Sequence, residues 1–460
     1  MDHALPAADA LLAAFADAVG ADGIRCDADS LRRYGADRAP LAAPAPLAIV
    51  LPADRDAVAR ALAVCHAHGL AVVPSGGRTG LSGGALAAKG EVVLATDRLR
   101  DVGPVDVVGR TIRVGAGVTN LELQQLLAPH GLQWPIDLAS KGSATIGGNL
   151  ATNAGGVRVL RYGHARRWVL GLEVVLADGS VLQLGGANEK DNTGLDLCGL
   201  FVGSEGVLGV ITAATLKLTA LPGPAEVALF ALDDIAAALR LLAAARAAPA
   251  TLSAFEVFDA RSLAAVCSRR GWPAPFQETA PWYALCELEP APGGDAAALE
   301  AWLAAVAMGE GVRAAALATD AAQRRAFWGY RESISECLAP DRPHKNDVCV
   351  PIAALGAFVE GLQRFDADDP GSILGIFGHL GDGNLHVNAQ RARDAELFAL
   401  VRRLGGSISA EHGIGLLKAP WIGLQHGAAE LAAMRAVKAA LDPRGLMNPG
   451  KMLAAEPSAI

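Results

Sequence analysis

The chain has 460 residues, which exceeds the usual size of one hydrophobic core, about 250–300 residues, so two or more domains are expected. Its formal net charge of −8 gives no electrostatic reason to expect a nucleic-acid or anionic-lipid partner. Seven cysteines are scattered without a CxxC pair, which predicts reduced, buried thiols in a cytoplasmic protein.

The first predicted elements alternate short apolar runs with helices. Residues 1–19 predict an acidic amphipathic helix and not a signal peptide, because the stretch lacks a basic region. Apolar runs at 48–52 and 70–74 flank a helix that starts at Asp54 and ends near Gly69, which is the order of a βαβ unit. No apolar run approaches the roughly 18 residues of a membrane span.

The next elements predict a mixed α+β chain. A capping box at Thr119 and Glu122 starts a helix, and residues 173–184 predict a hairpin. The sequence Pro222-Gly-Pro marks a domain boundary, after which helices and strands again alternate. We therefore expect a first domain over 1–221, a second α+β domain over 222–410, and a segment over 411–460 that returns to the first. The later predicted elements are helices at about 231–248, 295–308 and 391–405, strands at 283–289 and 372–380, and a helix in the tail.

Three glycine-rich segments lie in the predicted first domain, at 75–84, 142–156 and 203–209. The first directly follows an apolar strand, so its backbone N–H groups can form a nest for an anion such as a diphosphate. It matches neither the Walker pattern nor GxGxxG. Glycine-rich surface connections would explain any one segment, but three in one domain favour a large ligand that the backbone approaches closely.

The stretch GHLGDGNLHVN, residues 378–388, predicts a hairpin with a two-residue turn at Asp382-Gly383. Counting outward from this turn pairs His379 with His386, with Cβ atoms about 5 Å apart. Asn388 would share their face. Surface histidines that do no chemistry remain an alternative on this evidence alone.

A third group strengthens the interpretation of the two histidines as ligands. The sequence SAEHGIG contains adjacent Glu411 and His412 between small residues. Two imidazoles and a carboxylate are typical of an open divalent-metal site, for which zinc, manganese, cobalt and iron are all suitable. Because neighbouring side chains point differently, Glu411 could bind the metal while His412 acts as a base.

In family terms, the chain resembles flavoproteins of the vanillyl-alcohol oxidase or p-cresol methylhydroxylase fold. The segments PSGGRTGLSGG, GSATIGGNLATNAGG, GSEGVLGVIT and LMNPGK stand in the order of that family. The resemblance implies a two-subdomain FAD-binding domain, a cap domain with an antiparallel sheet for the substrate, and a C-terminal helical segment. The residues that it assigns to FAD are Pro74, Ser75, Gly76, Gly77, Arg78, Thr79, Gly80, Leu81, Ser82, Pro135, Gly142, Ser143, Thr145, Gly147, Gly148, Asn149, Thr152, Asn153, Gly155, Gly156, Glu205, Gly206, Ile211 and Asn448.

One departure from the family concerns how FAD is held. Some relatives carry a histidine after the Gly-Gly of the first loop and bind the flavin covalently, whereas this chain has Arg78 there. We therefore expect FAD to be bound without a covalent bond.

The two histidine motifs together resemble a subgroup of the family, the metal-using D-2-hydroxyacid dehydrogenases. By this resemblance His379, His386 and Glu411 bind the metal, Asn388 contacts the substrate, and His412 is the general base. The active site is then expected between the two domains.

Three further residues indicate the substrate. Arg331 and Ser335 lie four apart, so one helix would present them on one face. Relatives that act on D-2-hydroxyglutarate have Arg and a hydroxyl at these positions and a lysine near Lys345. Two cations suit a dicarboxylate, so the resemblance favours D-2-hydroxyglutarate.

Other functions stay open at this point. The sequence from Asp347 onward also resembles D-lactate dehydrogenases. A metal-dependent hydrolase that binds a nucleotide in its glycine loops is a different class, as is a flavin-binding subunit without activity. For the dehydrogenase we expect an external electron acceptor, such as an electron-transfer flavoprotein, a quinone or oxygen, and a homodimer is common among relatives.

Overall fold

A computed structural model describes residues 8–41, 43–290 and 296–453 of the chain. These residues divide into two units. The first comprises Met1–Gly156, His164–Leu221 and Glu411–Ile460, and the second comprises Val157–Gly163 and Pro222–Ala410. The short segment Val157–Gly163 was expected in the first domain. It groups with the second unit because Arg158 forms an ion pair with Glu287, at 2.8 Å from Nε to the carboxylate.

The first unit contains two four-stranded sheets and a two-stranded pair. One sheet has the order Ile24–Arg25, Ala48–Val50, Val92–Ala95, Val72–Ser75, and its last three strands are parallel. The other sheet is antiparallel, in the order Thr111–Gly115, Val210–Lys217, Val169–Val175, Val181–Gly185. The two-stranded pair joins Leu132–Gln133 to Thr219–Ala220.

The helices of the first unit confirm several expectations from the sequence. The predicted N-terminal helix is described over Ala8–Val19, and residues 1–7 of that prediction lie outside the described residues. The βαβ helix spans Arg55–His68, with the Asp54 side chain accepting from the Ala57 N–H at 2.8 Å. The other α-helices are Ala28–Tyr34, Asn120–Leu127, Ile146–Ala151, Leu197–Phe201, Ile422–Gln425 and Ala428–Leu441, and the 3-10 helices are Ala21–Gly23, Ala128–His130, Ala165–Trp168 and Ala419–Trp421.

Burial explains why these elements pack. One face of the helix Arg55–His68 places Val58, Leu62 and Cys65 in a core that also contains Phe15 and Leu94. Burying one such side chain contributes about 1.5–3 kcal/mol, so this cluster is a main source of stability for the first unit.

The second unit is built on a seven-stranded sheet in which all neighbouring strands are antiparallel. Its strand order is Val312–Leu317, Glu226–Leu232, Trp282–Glu289, Thr251–Asp259, Ile373–His379, Asn384–Ala389, His344–Cys349. A cap domain with an antiparallel sheet is therefore confirmed. Its α-helices are Val159–Tyr162, Ile235–Arg246, Ala260–Arg270, Ala296–Ala307, Ala321–Glu332, Ile334–Leu338, Leu355–Asp368 and Asp394–Arg403, and its 3-10 helices are Ala339–Asp341, Ile352–Ala354 and Leu380–Asp382.

The hairpin at 378–388 forms, but its predicted register is wrong. His379 lies opposite Asn384, and His386 lies opposite Phe377. The residues Leu380–Asp382 form a 3-10 turn instead of extending the strand, and this shifts the pairing by two positions. Because side chains alternate with a period of two, the two histidines still share one face of the sheet. Gly383 has the predicted positive φ, +84°.

The cysteines and helices bear on the remaining general expectations. All seven cysteines are free, but only Cys65, Cys286 and Cys337 are buried, while Cys26 is exposed. The expectation of buried thiols is therefore correct for three of them. Within the described part of the chain, no helix has both the length and the apolar character that crossing a membrane requires.

Candidate active site

One face of the seven-stranded sheet carries a row of polar side chains. Residues opposite each other on neighbouring antiparallel strands place their side chains on the same face. Glu256 lies opposite His379, and His386 lies between Phe377 on one neighbouring strand and Asp347 on the other. We call this row the polar face, and its polar members are Glu256, Lys345, Asp347, His379, Asn384, His386 and Asn388.

The imidazole of His379 is held by a buried carboxylate. Its Nδ1 lies 2.7 Å from Oε1 of Glu256. An ionised carboxylate has no proton to donate, so Nδ1 donates and Nε2 is the nitrogen that can face a metal ion. Burial alone would raise the pKa of Glu256, but its interactions with His379 and Arg331 outweigh burial and hold this pKa below its ordinary value.

The imidazole of His386 has a second buried carboxylate beside it. Its Nδ1 lies 3.6 Å from Oδ1 of Asp347. Asp347 is fixed in turn, because Asn384 donates to it at 2.8 Å and the backbone N–H of Ala410 donates to it at 3.2 Å. The rings of His379 and His386 lie edge to face, with centroids 5.5 Å apart.

Among the described residues, two of the predicted metal ligands, His379 and His386, lie together on the polar face of the second unit. The two histidines each offer a ring nitrogen, and these nitrogens lie within 4.8 Å of one another. Glu411 directly follows Ala410, the last residue of the second unit. Two imidazoles and one carboxylate fit an open divalent site, and the carboxylate behind His379 is the partner that metal-binding histidines commonly have.

The predicted helix that presents Arg331 and Ser335 on one face is wrong. The first helix, Ala321–Glu332, ends before Ser333, and a second one, Ile334–Leu338, begins after it. Arg331 is therefore buried while Ser335 is exposed. The structure nevertheless joins two of the three predicted residues, because Nζ of Lys345 donates to Oγ of Ser335 at 3.1 Å. Lys345 also lies directly opposite Asn388, which is buried.

Arg331 reaches the polar face from its helix. Its Nη2 lies 2.7 Å from Oε2 of Glu256, and its guanidinium lies over the Phe377 ring, 4.8 Å from the centroid. Its Nε is buried and has no hydrogen-bond partner among the described residues. A buried donor without a partner costs free energy, so this atom fits a site that receives an anionic group of a ligand.

In the first unit, the first two glycine segments pack backbone against backbone. A Cβ on Gly76 would lie 2.7 Å from Oγ1 of Thr145, and one on Gly77 would lie 2.1 Å from the carbonyl oxygen of Ser143. Only glycine allows this approach. The contact brings the predicted phosphate nest and the second predicted cofactor segment together.

The third segment holds the loop that carries His412. The Glu205 carboxylate accepts hydrogen bonds from the backbone N–H groups of Ile414 and Gly415, both at 2.7 Å, and burial raises the pKa of Glu205. The hydroxyl of Ser82 donates to the carbonyl oxygen of His412 at 2.9 Å. The side chain of Glu205, a residue predicted to bind FAD, therefore holds the loop 411–418.

Asn448 joins these segments from the tail. Its Nδ2 donates to the carbonyl oxygens of Glu205, at 2.7 Å, and Gly84, at 3.0 Å. Its Oδ1 is buried without a hydrogen-bond partner among the described residues. A buried acceptor without a partner, beside loops that only glycine allows, fits a large cofactor that carries both phosphates and donor groups.

The remaining predicted cofactor residues lie on the same elements. Pro74 and Ser75 end a strand, Pro135 is buried after the strand Leu132–Gln133, and Ile211 lies in the strand Val210–Lys217. The other positions lie in or beside the three glycine segments, namely Thr79, Gly80, Leu81, Gly142, Gly147, Gly148, Asn149, Thr152, Asn153, Gly155, Gly156 and Gly206.

Arg78 has a structural partner of its own. It has a positive φ of +55°, and its guanidinium binds both carboxylate oxygens of Asp97, at 2.8 and 3.0 Å. The same group lies over the Tyr34 ring, 4.5 Å from the centroid. The side chain that replaces the covalently binding histidine of some relatives is thus used within the protein.

Sequence reasoning missed Glu256, and it gave Asp347 no role in the site. Glu256 lies in the run AFEVF and Asp347 in the run NDVCV, and in each run the charged side chain interrupts apolar neighbours. A buried charge is costly unless it is paired, and this is the signal that could have marked both positions.

Comparison with known proteins identifies the family. Residues 46–185 match the model of the FAD binding domain, and residues 221–452 match the model of the FAD linked oxidases, C-terminal domain. The chain belongs to the FAD-linked oxidase family. This member is therefore an FAD-dependent oxidoreductase, and its two matched regions speak against the hydrolase alternative.

Relatives of this FAD-linked oxidase include two named D-2-hydroxyglutarate dehydrogenases. The protein of Xanthomonas citri pv. viticola is 42% identical over 453 residues, which is 95% of each chain. The mitochondrial protein of Bos taurus is 39% identical over 417 residues, covering 88% of this chain and 76% of the bovine one. The crystal structure of p-cresol methylhydroxylase with substrate bound has a TM-score of 0.75 at 16% identity, covering 97% of each chain, which confirms the fold.

Proposed function

We propose that this FAD-linked oxidase is a metal-dependent dehydrogenase that oxidises D-2-hydroxyglutarate to 2-oxoglutarate. The observation that carries the proposal is the polar face, where His379, His386 and Asn388 share one face of the sheet with Lys345. A second cation, Arg331, reaches this face from its helix and contacts Glu256. A site with two cations suits a substrate with two carboxylates. The names of the two relatives support the same substrate.

The chemistry divides between the cofactors and the chain. When bound, a divalent metal would lower the pKa of the substrate hydroxyl, and FAD would accept a hydride at flavin N5. His379, His386 and Glu411 would hold the metal. Zinc is the first choice, with manganese, cobalt or iron as alternatives.

The other residues bind substrate and move its proton. His412 would remove the hydroxyl proton, a role that suits an imidazole near neutral pH. Arg331 would bind a carboxylate through donors that include its buried Nε, and Lys345 would supply the charge for the other. Ser335, which Lys345 already contacts, and Asn388 would orient the ends of the substrate.

FAD would be bound without a covalent bond. Arg78 stands where covalent relatives have histidine, and its guanidinium is engaged with Asp97. Acid denaturation of the purified protein should therefore release all of its yellow colour into the supernatant. Turnover would also require an external electron acceptor, for which we propose an electron-transfer flavoprotein or a quinone.

D-lactate is the second candidate substrate, and one observation favours it. The charge of Arg331 is already opposed by Glu256 at 2.7 Å, which lowers the net positive charge available to a second carboxylate. A monocarboxylate would need only one cation. For either substrate we propose the same domain roles. Residues 1–221 would form the FAD domain, residues 411–460 would be the segment that returns to it, and residues 222–410 would form the substrate domain.

A substrate panel tests the proposal. The purified, metal-loaded protein is assayed with an artificial dye acceptor on D-2-hydroxyglutarate, its L-enantiomer, D-lactate and D-malate. The proposal requires the highest kcat/KM for D-2-hydroxyglutarate and little activity on the L-enantiomer. A higher kcat/KM for D-lactate would instead establish the second candidate.

A further inference from the structure

Glu256 links two residues with different proposed roles. It lies in the strand Thr251–Asp259 and is 0% exposed. One carboxylate oxygen, Oε1, accepts from Nδ1 of His379 at 2.7 Å, and the other, Oε2, lies 2.7 Å from Nη2 of Arg331. The two oxygens of one buried group therefore hold a proposed metal ligand and a proposed substrate-binding cation.

The partners of Glu256 are themselves restricted in position. The Arg331 guanidinium is also held over the ring of Phe377, and the same ring lies 5.0 Å from the imidazole of His386. A carboxylate in this buried place is tolerated because Oε1 accepts from His379 and Oε2 lies in an ion pair with Arg331. Removing its charge should therefore disturb His379 and Arg331 together.

We propose that Glu256 is a positioning residue that sets His379 for metal binding and Arg331 for carboxylate binding at the same time. This inference rests on the proposed function, because it takes His379 as a metal ligand and Arg331 as a substrate-binding residue. In this proposal Glu256 acts through these two residues and is not itself a ligand of the metal or the substrate. Its role is to fix which nitrogen of His379, and which face of Arg331, meets the ligand.

The effect on His379 follows from hydrogen bonding. A carboxylate that accepts from Nδ1 fixes the tautomer with the proton on that nitrogen and makes Nε2 a better electron donor to a metal. A glutamine at the same place has one acceptor oxygen and one NH₂ group. The single oxygen of glutamine can face His379 or Arg331. It cannot give each of them an oxygen of its own, as the two carboxylate oxygens of Glu256 do.

The effect on Arg331 follows from the same geometry. Glu256 engages Nη2, while the buried Nε has no partner among the described residues. Because Glu256 already fixes the rotamer of Arg331, the guanidinium can donate from Nε to an anion with little further loss of conformational entropy. Without the carboxylate, Arg331 loses this support, and KM for a dicarboxylate should rise.

A purely structural role is the alternative, and the chain offers a matched control for it. Glu287 is a second buried glutamate of the same sheet, 3% exposed, which pairs with Arg158 and accepts from Oγ of Ser253 at 2.7 Å and Nε1 of Trp328 at 2.9 Å. None of these contacts involves a histidine. Glu287→Gln should therefore cost stability without changing metal affinity.

The test compares wild type, Glu256→Gln and Glu287→Gln as purified FAD-loaded proteins. Each is dialysed against a graded series of metal-buffered chelator solutions, and bound metal is measured by mass spectrometry without any turnover. We expect Glu256→Gln to bind metal about 10–100-fold more weakly than wild type, as for loss of other carboxylates behind metal-binding histidines. Its KM for D-2-hydroxyglutarate should also rise, while Glu287→Gln matches wild type in both.

The first decisive outcome is that wild type binds metal and oxidises D-2-hydroxyglutarate, and Glu256→Gln has the same metal affinity and the same KM. This outcome would overturn the inference about Glu256 but leave the proposed function intact. A wild type that binds no metal would overturn it together with the metal-dependent part of the proposed function. If Glu256→Gln does not fold, nitrogen NMR of histidine-labelled wild type decides, with His379→Asn for assignment. A proton on Nδ1 of His379 is required, and a proton on Nε2 would refute the inference.

Discussion

Lys345 donates a hydrogen bond to Ser335 over 3.1 Å, so the last strand of the sheet and the helix Ile334–Leu338 meet at a cation and a hydroxyl. The same lysine lies opposite the buried Asn388. A single ammonium group at this place can select substrates by the charge at their far end. This relationship gives the first prediction.

Replacing Lys345 with methionine should lower kcat/KM for D-2-hydroxyglutarate by about 10–100-fold, through a higher KM. The reason is the loss of one hydrogen bond to a charged group, which contributes about 1.5–3 kcal/mol. Activity on D-lactate should change little, since it has no distal carboxylate. Steady-state kinetics on both acids measure this, with Lys217→Met, on the first unit, as a surface control. An unchanged KM for D-2-hydroxyglutarate would remove Lys345 from the substrate site.

The second prediction concerns the metal. Chelation should abolish activity, and adding back a divalent metal should restore it. His386→Ala should lower both bound metal and turnover by about 100-fold or more, because a lost ligand costs at least as much as a lost supporting carboxylate. The measurements are metal content and turnover of the same preparations.

The sheet offers a matched control for this variant. His344 lies on the neighbouring strand, and its Nε2 lies 2.6 Å from Asp394. It is next to Lys345, so it points to the opposite face from the polar face. His344→Ala should retain metal and activity. Equal losses in both histidine variants would mean that the effect is one of folding.

How much of this site the sequence reveals depends on the interaction concerned. The hairpin and its positive-φ Gly383 could be predicted because local turn chemistry determines them. Its register could not, because the choice between a two-residue turn and the 3-10 turn Leu380–Asp382 depends on contacts beyond the hairpin. Gly383, for example, packs against Val350, where a Cβ would lie 2.1 Å from the carbonyl oxygen.

Partners distant in sequence were the hardest to predict. Glu256 and His379 are 123 residues apart, and only the strand order of the sheet brings them together. Likewise, the spacing of Arg331 and Ser335 suggested one helix, but the break at Ser333 turns them to different environments. Glycine segments were easier, since the need for close backbone approach is visible in the composition itself.

The third prediction concerns Glu205, whose carboxylate accepts from Ile414 and Gly415. Glu205→Gln retains one acceptor oxygen, so one of the two bonds is lost, at a cost of about 1–3 kcal/mol. We expect a lower melting temperature and a kcat reduced by about tenfold, because the loop with the proposed base His412 is less well held. Thermal denaturation and turnover are the measurements.

Glu173→Gln separates loop positioning from general destabilisation. Glu173 is also a buried glutamate of the first unit, and it accepts from Gln183 at 2.7 Å and Thr212 at 2.8 Å. Neither of these partners belongs to the loop 411–418. This control should melt earlier but keep its kcat at temperatures where it is folded. If both variants lost kcat equally, Glu205 would have no specific role in holding the loop.

The fourth prediction is a pH dependence of stability from Lys451. This lysine is 2% exposed, and burial lowers its pKa to about 8, against the pull of Glu91 and Asp37. The pKa in the folded state is below the unfolded value, so the unfolded state binds more protons between about pH 8 and about pH 10.5. The free energy of unfolding should therefore rise with pH in that window, by up to about 3 kcal/mol from this residue.

Chemical denaturation at several pH values, compared with Lys451→Met, isolates this contribution. The free energy of unfolding of the variant should rise less between about pH 8 and about pH 10.5, because Lys451 no longer contributes. Below about pH 8 the variant should also avoid the free-energy cost of a buried ammonium group. Parallel pH profiles for the two proteins would show that Lys451 does not titrate in this range.

The most direct test of the proposed activity is a single-turnover reaction without oxygen or any other acceptor. D-2-Hydroxyglutarate is mixed rapidly with the metal-loaded, oxidised holoenzyme, and the visible absorbance of the flavin is followed. We predict that the absorbance bleaches in one step to that of reduced FAD, with one equivalent of 2-oxoglutarate formed per flavin. Flavin that stays oxidised with this substrate, while D-lactate or another 2-hydroxyacid reduces it, would contradict the assignment.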